Sequence, residues 1–211
     1  MLHIERHFKH LREAFDDERF DRGDSVRAWP IGLAIARELA RRSGVKIVGA
    51  VDIDNQKVGK DVGSLIGLKE PLGVMVSLSL KEVLSGHDAP VVTLSTVSSL
   101  NACFPQIEEI LRYKKCIVST CDELAPPWET HPDLSRKIDC LAKENGAAVL
   151  GTGVNPGFAM DFLPVVALGV CSEVKRIKVF RIQDASFRRL PFQKKIGVEL
   201  SVVGFEEKKA T

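Results

Sequence analysis

The chain has 211 residues, 45% of them hydrophobic and 27% charged, with a net charge of +2. That length holds one full α/β domain and part of a second, with the composition of a soluble globular protein. So small a charge excludes strong attraction to nucleic acid or a membrane surface, and no aromatic residues interleave with a basic stripe as in a single-strand binder.

The first 23 residues stand apart. Ile4, Phe8, Leu11 and Phe15 fall at helical spacing with charges between them, the pattern of an amphipathic helix, either on the surface or docked on a partner. Residues 1–26 are therefore expected to be an atypical N-terminal extension. From Pro30 the chain alternates regularly. Pro30 to Arg42 predicts a helix stopped by Gly44, and Val45 to Asp52 a mainly apolar strand. Val74 to Val76 reads as a short strand, Leu80 to Leu84 as a short helix and Val91 to Ser95 as a buried strand. Phe104 to Arg112 predicts a helix, Cys116 to Ser119 a strand, Pro132 to Asn145 a helix and Ala147 to Leu150 a further strand. Short apolar strands alternating with helices imply a doubly wound parallel α/β sheet, Rossmann-like, over residues 27–156.

Gly151 to Phe158 then forms a glycine- and proline-rich elbow, followed by a helix over Ala159 to Cys171. From Glu173 to Asp184 the apolar residues Val174, Ile177, Val179 and Ile182 suggest a strand of a different sheet. The start of a second α+β domain, for substrate or dimerisation, is thus expected over 157–211, too short for a comfortable core of its own. That domain looks truncated or dependent on another subunit.

The five cysteines, Cys103, Cys116, Cys121, Cys140 and Cys171, form no CxxC pair and no metal-ligand spacing, so no metal is expected. Their low density suggests reduced thiols and a cytoplasmic location. Met1 to His7 has no apolar secretion core, and no window reaches a transmembrane length. His87 and His131 read as loop residues on the surface, paired with neither a base nor a metal cluster.

A dinucleotide site needs a strand, a glycine-rich turn and a helix N-terminus aimed at the pyrophosphate. Ile31 and Gly32 stand in the first turn of a suitable helix. Asp52 lies twenty residues after Gly32, where an acid holds the ribose hydroxyls; an ordinary strand-end acid is the alternative. The preceding turn, Arg27-Ala28-Trp29, lacks the glycines that let backbone approach phosphate. The expected first strand, Arg19 to Val26, is mostly charged, yet such a strand is buried on both faces at the sheet centre. It should bury four or five apolar side chains at roughly 1.5–3 kcal/mol each, against a net domain stability of roughly 5–15 kcal/mol. Either the start of the chain is displaced, as by a misread frame or alternative exon, or an unusual strand fills the gap.

From Pro30 to about Lys209 the chain resembles 2,4-diaminopentanoate dehydrogenase and its relatives, within the group that has a dihydrodipicolinate reductase-like N-terminal domain. The resemblance is carried by Pro30 to Ala36, Gly49 to Asp54, Lys57 to Asp61, Ser119 to Leu124, Gly151 to Phe158 and Gln183 to Gly197. It implies NAD or NADP as cofactor and oxidation or reduction at a C–N bond: oxidative deamination of an amino acid, or reduction of an imine. The partner is a small amino acid or imine, and the protein a homo-oligomer. The chain departs from the family in its opening strand and glycine turn, and in stopping at Thr211. A non-catalytic homologue or fragment with a binding or scaffold role is therefore the alternative.

Under that resemblance Thr96, Ser98 and Thr120 line the cofactor, although Ser98 or Ser99 is equally suited to cap a helix. Lys57 and Lys60 are either 2′-phosphate ligands or solvated charges. Glu123 anchors the substrate amine, or else serves as an N-cap or a surface acid. Asn155 contacts substrate or belongs to a hinge. In the related reductases the loop after the first strand of the second domain carries the acid/base group. Here it holds Asp184 and Lys194 as catalytic candidates, and Arg188, Arg189 and Gln193 as substrate ligands. Cys121 is not needed as a nucleophile, because hydride transfer requires none.

Overall fold

The computed structural model describes residues 30–182, 184, 186, 193, 196–198 and 200–210. The N-terminal extension, the expected strand Arg19–Val26 and the turn Arg27–Trp29 lie outside the described residues, as do Arg188, Arg189 and Lys194. Residues 30–182 belong to one compact unit, and the described residues beyond them to a second.

Helix α1 (Pro30–Ala40) opens with proline at its first position, where the missing N–H costs nothing. Its Leu33, Ala36 and Ala40 pack against buried Val62, Ile66 and Val76. Arg37 Nε donates to the Ile66 carbonyl at 2.9 Å, tying α1 to the short helix α2 (Val62–Leu65). Strand β1 (Ala50–Val51) pairs in parallel with β2 (Val76–Ser77). The apolar run from Val45 is longer than the strand it yields, because residues 45–49 pair with no strand among the described residues. Helix α3 (Leu80–Gly86) is capped by Ser79, whose hydroxyl accepts from the Glu82 N–H.

The larger sheet holds β3 (Val91–Leu94), β4 (Cys116–Ser119) and β5 (Val149–Gly151), all parallel, in the order β3-β4-β5. Helix α4 (Leu100–Arg112) lies between β3 and β4 in sequence, and α5 (Pro132–Glu144) between β4 and β5. Leu100, Cys103, Ile107, Ile110 and Leu111 form one buried stripe on α4, at the spacing of an amphipathic helix. They join Leu84, Leu94, Ile117, Cys121, Leu124 and Ile138 in the main core. The sequence places the start of this helix at Phe104. The structure carries α4 through Pro105 from Leu100, since Leu100 and Cys103 continue the stripe. Parallel strands joined by helices make this an α/β fold of Rossmann type. The parallel strands fall into two sheets, and among the described residues β1 and β3 are each paired on one side only.

Beyond β5 the chain winds through Val154–Phe162, broken by non-helical backbone at Asn155, Pro156 and Gly157, into α6 (Leu163–Ala167) and a tight 3₁₀ turn, Leu168–Val170. The strand expected from Glu173 is not formed: residues 173–182 have no regular structure. An alternating pattern becomes a strand only when a neighbouring edge accepts its backbone groups, and residues 173–182 pair with no strand among the described residues. Phe180 and Ile182 are consequently 80% and 94% exposed. A further helix, α7 (Val202–Ala210), lies in the second unit.

Two local features are testable. Asp61 Oδ1 accepts from the N–H groups of Ser64 and Leu72, and Oδ2 from that of Val74. Desolvation raises its pKa, but these donors and the Gly73 N–H outweigh it and hold the carboxyl below its ordinary 3.8. Stability from a depressed carboxylate is present above the unfolded-state pKa and disappears as pH falls through the folded-state value. Asp61→Asn should lower the urea midpoint at pH 7, and the difference from the parent chain should shrink below pH 3.8. Gly151 lies under the turn at Leu124 so closely that a Cβ would overlap the Leu124 carbonyl. Gly151→Ala should cost about 1–3 kcal/mol, the range for overpacking, measured by urea unfolding.

Candidate active site

The register Leu94–Ser119–Gly151 aligns the ends of β3, β4 and β5, so the residues that follow leave by one carboxyl edge, where α/β sheets bind ligands. Backbone bonds stitch this edge together. Thr120 N donates to Leu94 O at 3.0 Å, Thr152 N to Ser119 O at 2.8 Å and Glu123 N to Ser98 O at 3.2 Å. Thr96 Oγ1 donates to Gln106 Oε1 at 2.6 Å, which holds it against α4. Thr96, Ser98, Thr120 and Glu123 are thus brought together, as expected from their places after β3 and β4.

Glu123 belongs to a single 3₁₀ turn, Asp122–Leu124. Its Oε2 accepts from Leu100 N, the first residue of α4, at 2.7 Å. Ser99 occupies the N-cap position of α4 but makes no side-chain cap, so Glu123 supplies that cap from another element. A carboxylate is favoured there by the open N–H groups and the helix dipole. The same Oε2 lies 3.1 Å from His131 Nε2. His131 is the N-cap residue of α5, and its side chain is 22% exposed. The sequence placed it on the surface without a base, and the structure corrects this. Residues 123 and 131 share no helical or strand period, so periodicity hides the pair. The usable signal is Pro132 at the first position of α5, which fixes the preceding histidine at a helix start.

Below Glu123, Cys103 and Cys121 are both buried. A hydrogen bond to Cys121, and then burial, push the Cys103 thiol well up. Receiving that bond pulls Cys121 down against its own desolvation, and Cys121 Sγ donates to Ser98 O at 3.2 Å. These thiols act as packing and as a bridge between the two loops.

At the start of α1, a Cβ on Gly32 would stand 3.0 Å from Ser95 Oγ, so this glycine lets the first turn of the helix approach the end of β3. Its neighbour Ile31 is exposed. Asp52 follows β1. Its Oδ1 accepts from Asp54 N at 2.9 Å, and its Oδ2 from Lys57 Nζ at 2.8 Å. Lys57 also stands 3.6 Å from Asp54, and its side chain is only 14% exposed. It is therefore an ion-pair partner of Asp52 rather than a solvated charge, whereas Lys60 is exposed. Each carboxylate oxygen has a second lone pair, so Asp52 retains acceptor capacity for a sugar diol. These residues suit the sugars of a dinucleotide; the turn that would face its phosphates lies outside the described residues.

The elbow after β5 turns sharply. Gly157 has φ +123°, a conformation that favours glycine, and its N–H donates to Asp161 Oδ2 at 2.7 Å. Asn155 is half-buried. A shallow groove of about 730 Å³ lies against the elbow, lined by Gly157, Met160, Asp161, Phe162, Pro164, Val165, Ile177 and Val179. Asp184 and Gln193 belong to the second unit. Asp184 is exposed, and the Ser186 N–H and hydroxyl hold its carboxyl below the usual range, so it stays ionised at neutral pH. Gln193 Nε2 donates to Ser186 O at 3.0 Å. Among the described residues no cluster of His, Cys, Asp and Glu could hold a metal, and no helix is long and apolar enough to cross a membrane.

No family model matches the chain. Over 162 residues it is 36% identical to the 2,4-diaminopentanoate dehydrogenase of Acetoanaerobium sticklandii, a match covering 74% of this chain and 44% of that protein. It is 23% identical over 160 residues to an amine dehydrogenase of Streptomyces virginiae, again covering 74% of this chain and 44% of the relative. Among solved structures, the amine dehydrogenase of Mycobacterium smegmatis is similar with a TM-score of 0.55 and 36% identity, over 59% of this chain and 37% of that one. The chain spans less than half the length of these proteins. Over the matched region it is homologous to dehydrogenases of amines and diamino acids.

Proposed function

We propose that the chain carries the catalytic edge of an NAD(P)-dependent oxidoreductase acting on a C–N bond, by oxidative deamination of a small amino acid or by reduction of the corresponding imine. The observation that carries this is the Glu123 carboxylate, fixed at the end of β4 beside the Thr96–Ser98 and Thr120 backbone. Similarity to amine and diamino acid dehydrogenases supports it.

In this proposal Asp52 accepts from the adenosine ribose hydroxyls. Ile31 and Gly32 lie under the pyrophosphate, and Thr96, Ser98 and Thr120 line the second ribose. The nicotinamide, when bound, accepts or returns the hydride. The protein's part is orientation and proton handling. An ammonium substrate must lose a proton before its nitrogen lone pair can help expel hydride from the adjacent carbon. Glu123 attracts that ammonium and is the proton acceptor. Asn155, on the elbow, is a polar contact for the substrate. Arg188, Arg189 and Gln193 are proposed to bind a substrate carboxylate, the arginines in bidentate fashion, and Lys194 to donate a proton in the reverse direction. Asp184, held ionised by Ser186, has no proton to give and is proposed as an acid/base group that accepts a proton in the deamination direction. We further propose a cytoplasmic homo-oligomer. The five free cysteines and the exposed apolar residues Val170, Phe180 and Ile182 support it.

Thermal unfolding in the presence of NAD⁺, NADP⁺ and their reduced forms tests the cofactor. Ligand at a hundredfold excess over Kd stabilises the native state by about 2.7 kcal/mol, a rise of several degrees in Tm; no rise at millimolar cofactor would remove the proposal. Asp52→Ala should weaken NAD⁺ by roughly tenfold or more, as expected for hydrogen bonds to a charged group. It should weaken NADP⁺ less, because Lys57 is then released beside the 2′ position. Titration calorimetry with both cofactors measures the ratio, and equal losses would contradict the ribose role.

A further inference from the structure

We propose that His131 is a positioning residue for the Glu123 carboxylate. The step it serves rests on the amine chemistry proposed above; the positioning itself does not.

Glu123 Oε2 is approached from two different helix starts: it accepts from Leu100 N of α4 at 2.7 Å, and His131 Nε2 of α5 stands 3.1 Å away as an ion-pair contact. A glutamate has three side-chain torsions, and one backbone bond leaves its far end free to swing. An imidazole packed within 3.1 Å of the same oxygen restricts that freedom. It also leaves Oε1 without a hydrogen bond among the described residues, on a side chain that is 43% exposed. One oxygen is therefore fastened and the other keeps its lone pairs, on a side chain that is only partly covered. A general base needs this division, because the proton must be met at a set place. In the transfer, an N–H bond of the ammonium breaks, an O–H bond forms at Oε1, and the electron pair stays on nitrogen.

His131 is itself held firmly. Its N–H donates to Pro127 O at 2.8 Å, and its carbonyl accepts from both Ser135 N and Ser135 Oγ. Ser135 is buried. The ring thus projects from a fixed helix start, and its position, unlike that of a loop histidine, is transmitted to Glu123.

The test uses the full chain as His131→Ala, His131→Gln and Glu123→Gln, with unfolding curves to confirm that each folds. Glutamine keeps an N–H donor near the place of Nε2. Amide hydrogen exchange at Leu100 needs neither cofactor nor substrate. It should accelerate about tenfold in His131→Ala, equivalent to about 1.4 kcal/mol, and return toward the parent rate in His131→Gln. In amine-dependent reduction of NAD(P)⁺, His131→Ala should lower kcat about tenfold with the cofactor KM unchanged. In a Glu123→Gln background, His131→Ala should add no further loss. Unchanged Leu100 exchange in His131→Ala would overturn the positioning role, whatever the activity. Accelerated exchange in a chain whose parent form oxidises no amine would uphold the positioning and reject the proposed function instead.

Discussion

The structure depends on the parallel register of three short strands. β4 is paired on both sides, and the alignment of Leu94, Ser119 and Gly151 ends all three strands in one layer. The candidate substrate end of the first unit follows from that alignment: the 96–99 loop, the turn at 122–124 and the elbow at 151–157 are the next residues along each strand. The buried stripe of α4 makes the layer stable. Its five inward side chains lie against Ile117, Leu94 and Leu124, and each fully buried large aliphatic side chain contributes about 1.5–3 kcal/mol. A helix so anchored has little freedom to tilt, so its first N–H groups stay where Glu123 can reach them.

Charge is handled locally rather than by the net charge of the chain. At one end Lys57 neutralises Asp52 in a partly buried pair. At the other, Glu123 is met by a helix N-terminus and an imidazole. Both carboxylates are placed without strong burial, and both keep lone pairs for a ligand. The same economy marks the 61–74 loop, where one aspartate gathers three backbone donors beside the buried Val62 and Ile66.

Much of this was legible in the residues. Alternating apolar runs and helical stripes place β3, β4, β5 and α5 within a residue or two, because local period and buried face agree there. The spacing of Asp52 from Gly32, and the position of Glu123 after β4, select residues that the structure sets at strand ends. Other features were hidden for physical reasons. The 173–182 segment alternates like a strand, but alternation records only which side chains are apolar; pairing also requires a second edge. The helix expected from Phe104 begins at Leu100, because burial of Leu100 and Cys103 outweighs the local cost of Pro105 inside it. The Lys57–Asp52 and His131–Glu123 pairs join residues five and eight apart across turns, where no period applies. Helix α1 tells a related story. Its start is set by Pro30, and its close approach to Ser95 depends on Gly32 having no side chain; the first is visible in sequence, the second only in three dimensions.

The central claim is that the strand ends of the two sheets, at Asp52 and at Thr96 to Glu123, receive the carrier of hydride and the nitrogen it acts beside. Backbone amide chemical shifts measured by NMR during titration with NADH test this most directly. The account predicts the largest displacements at Gly32, Asp52, Thr96, Ser98 and Thr120. Displacements confined to the groove around Met160 and Ile177, or none along the strand ends, would contradict it.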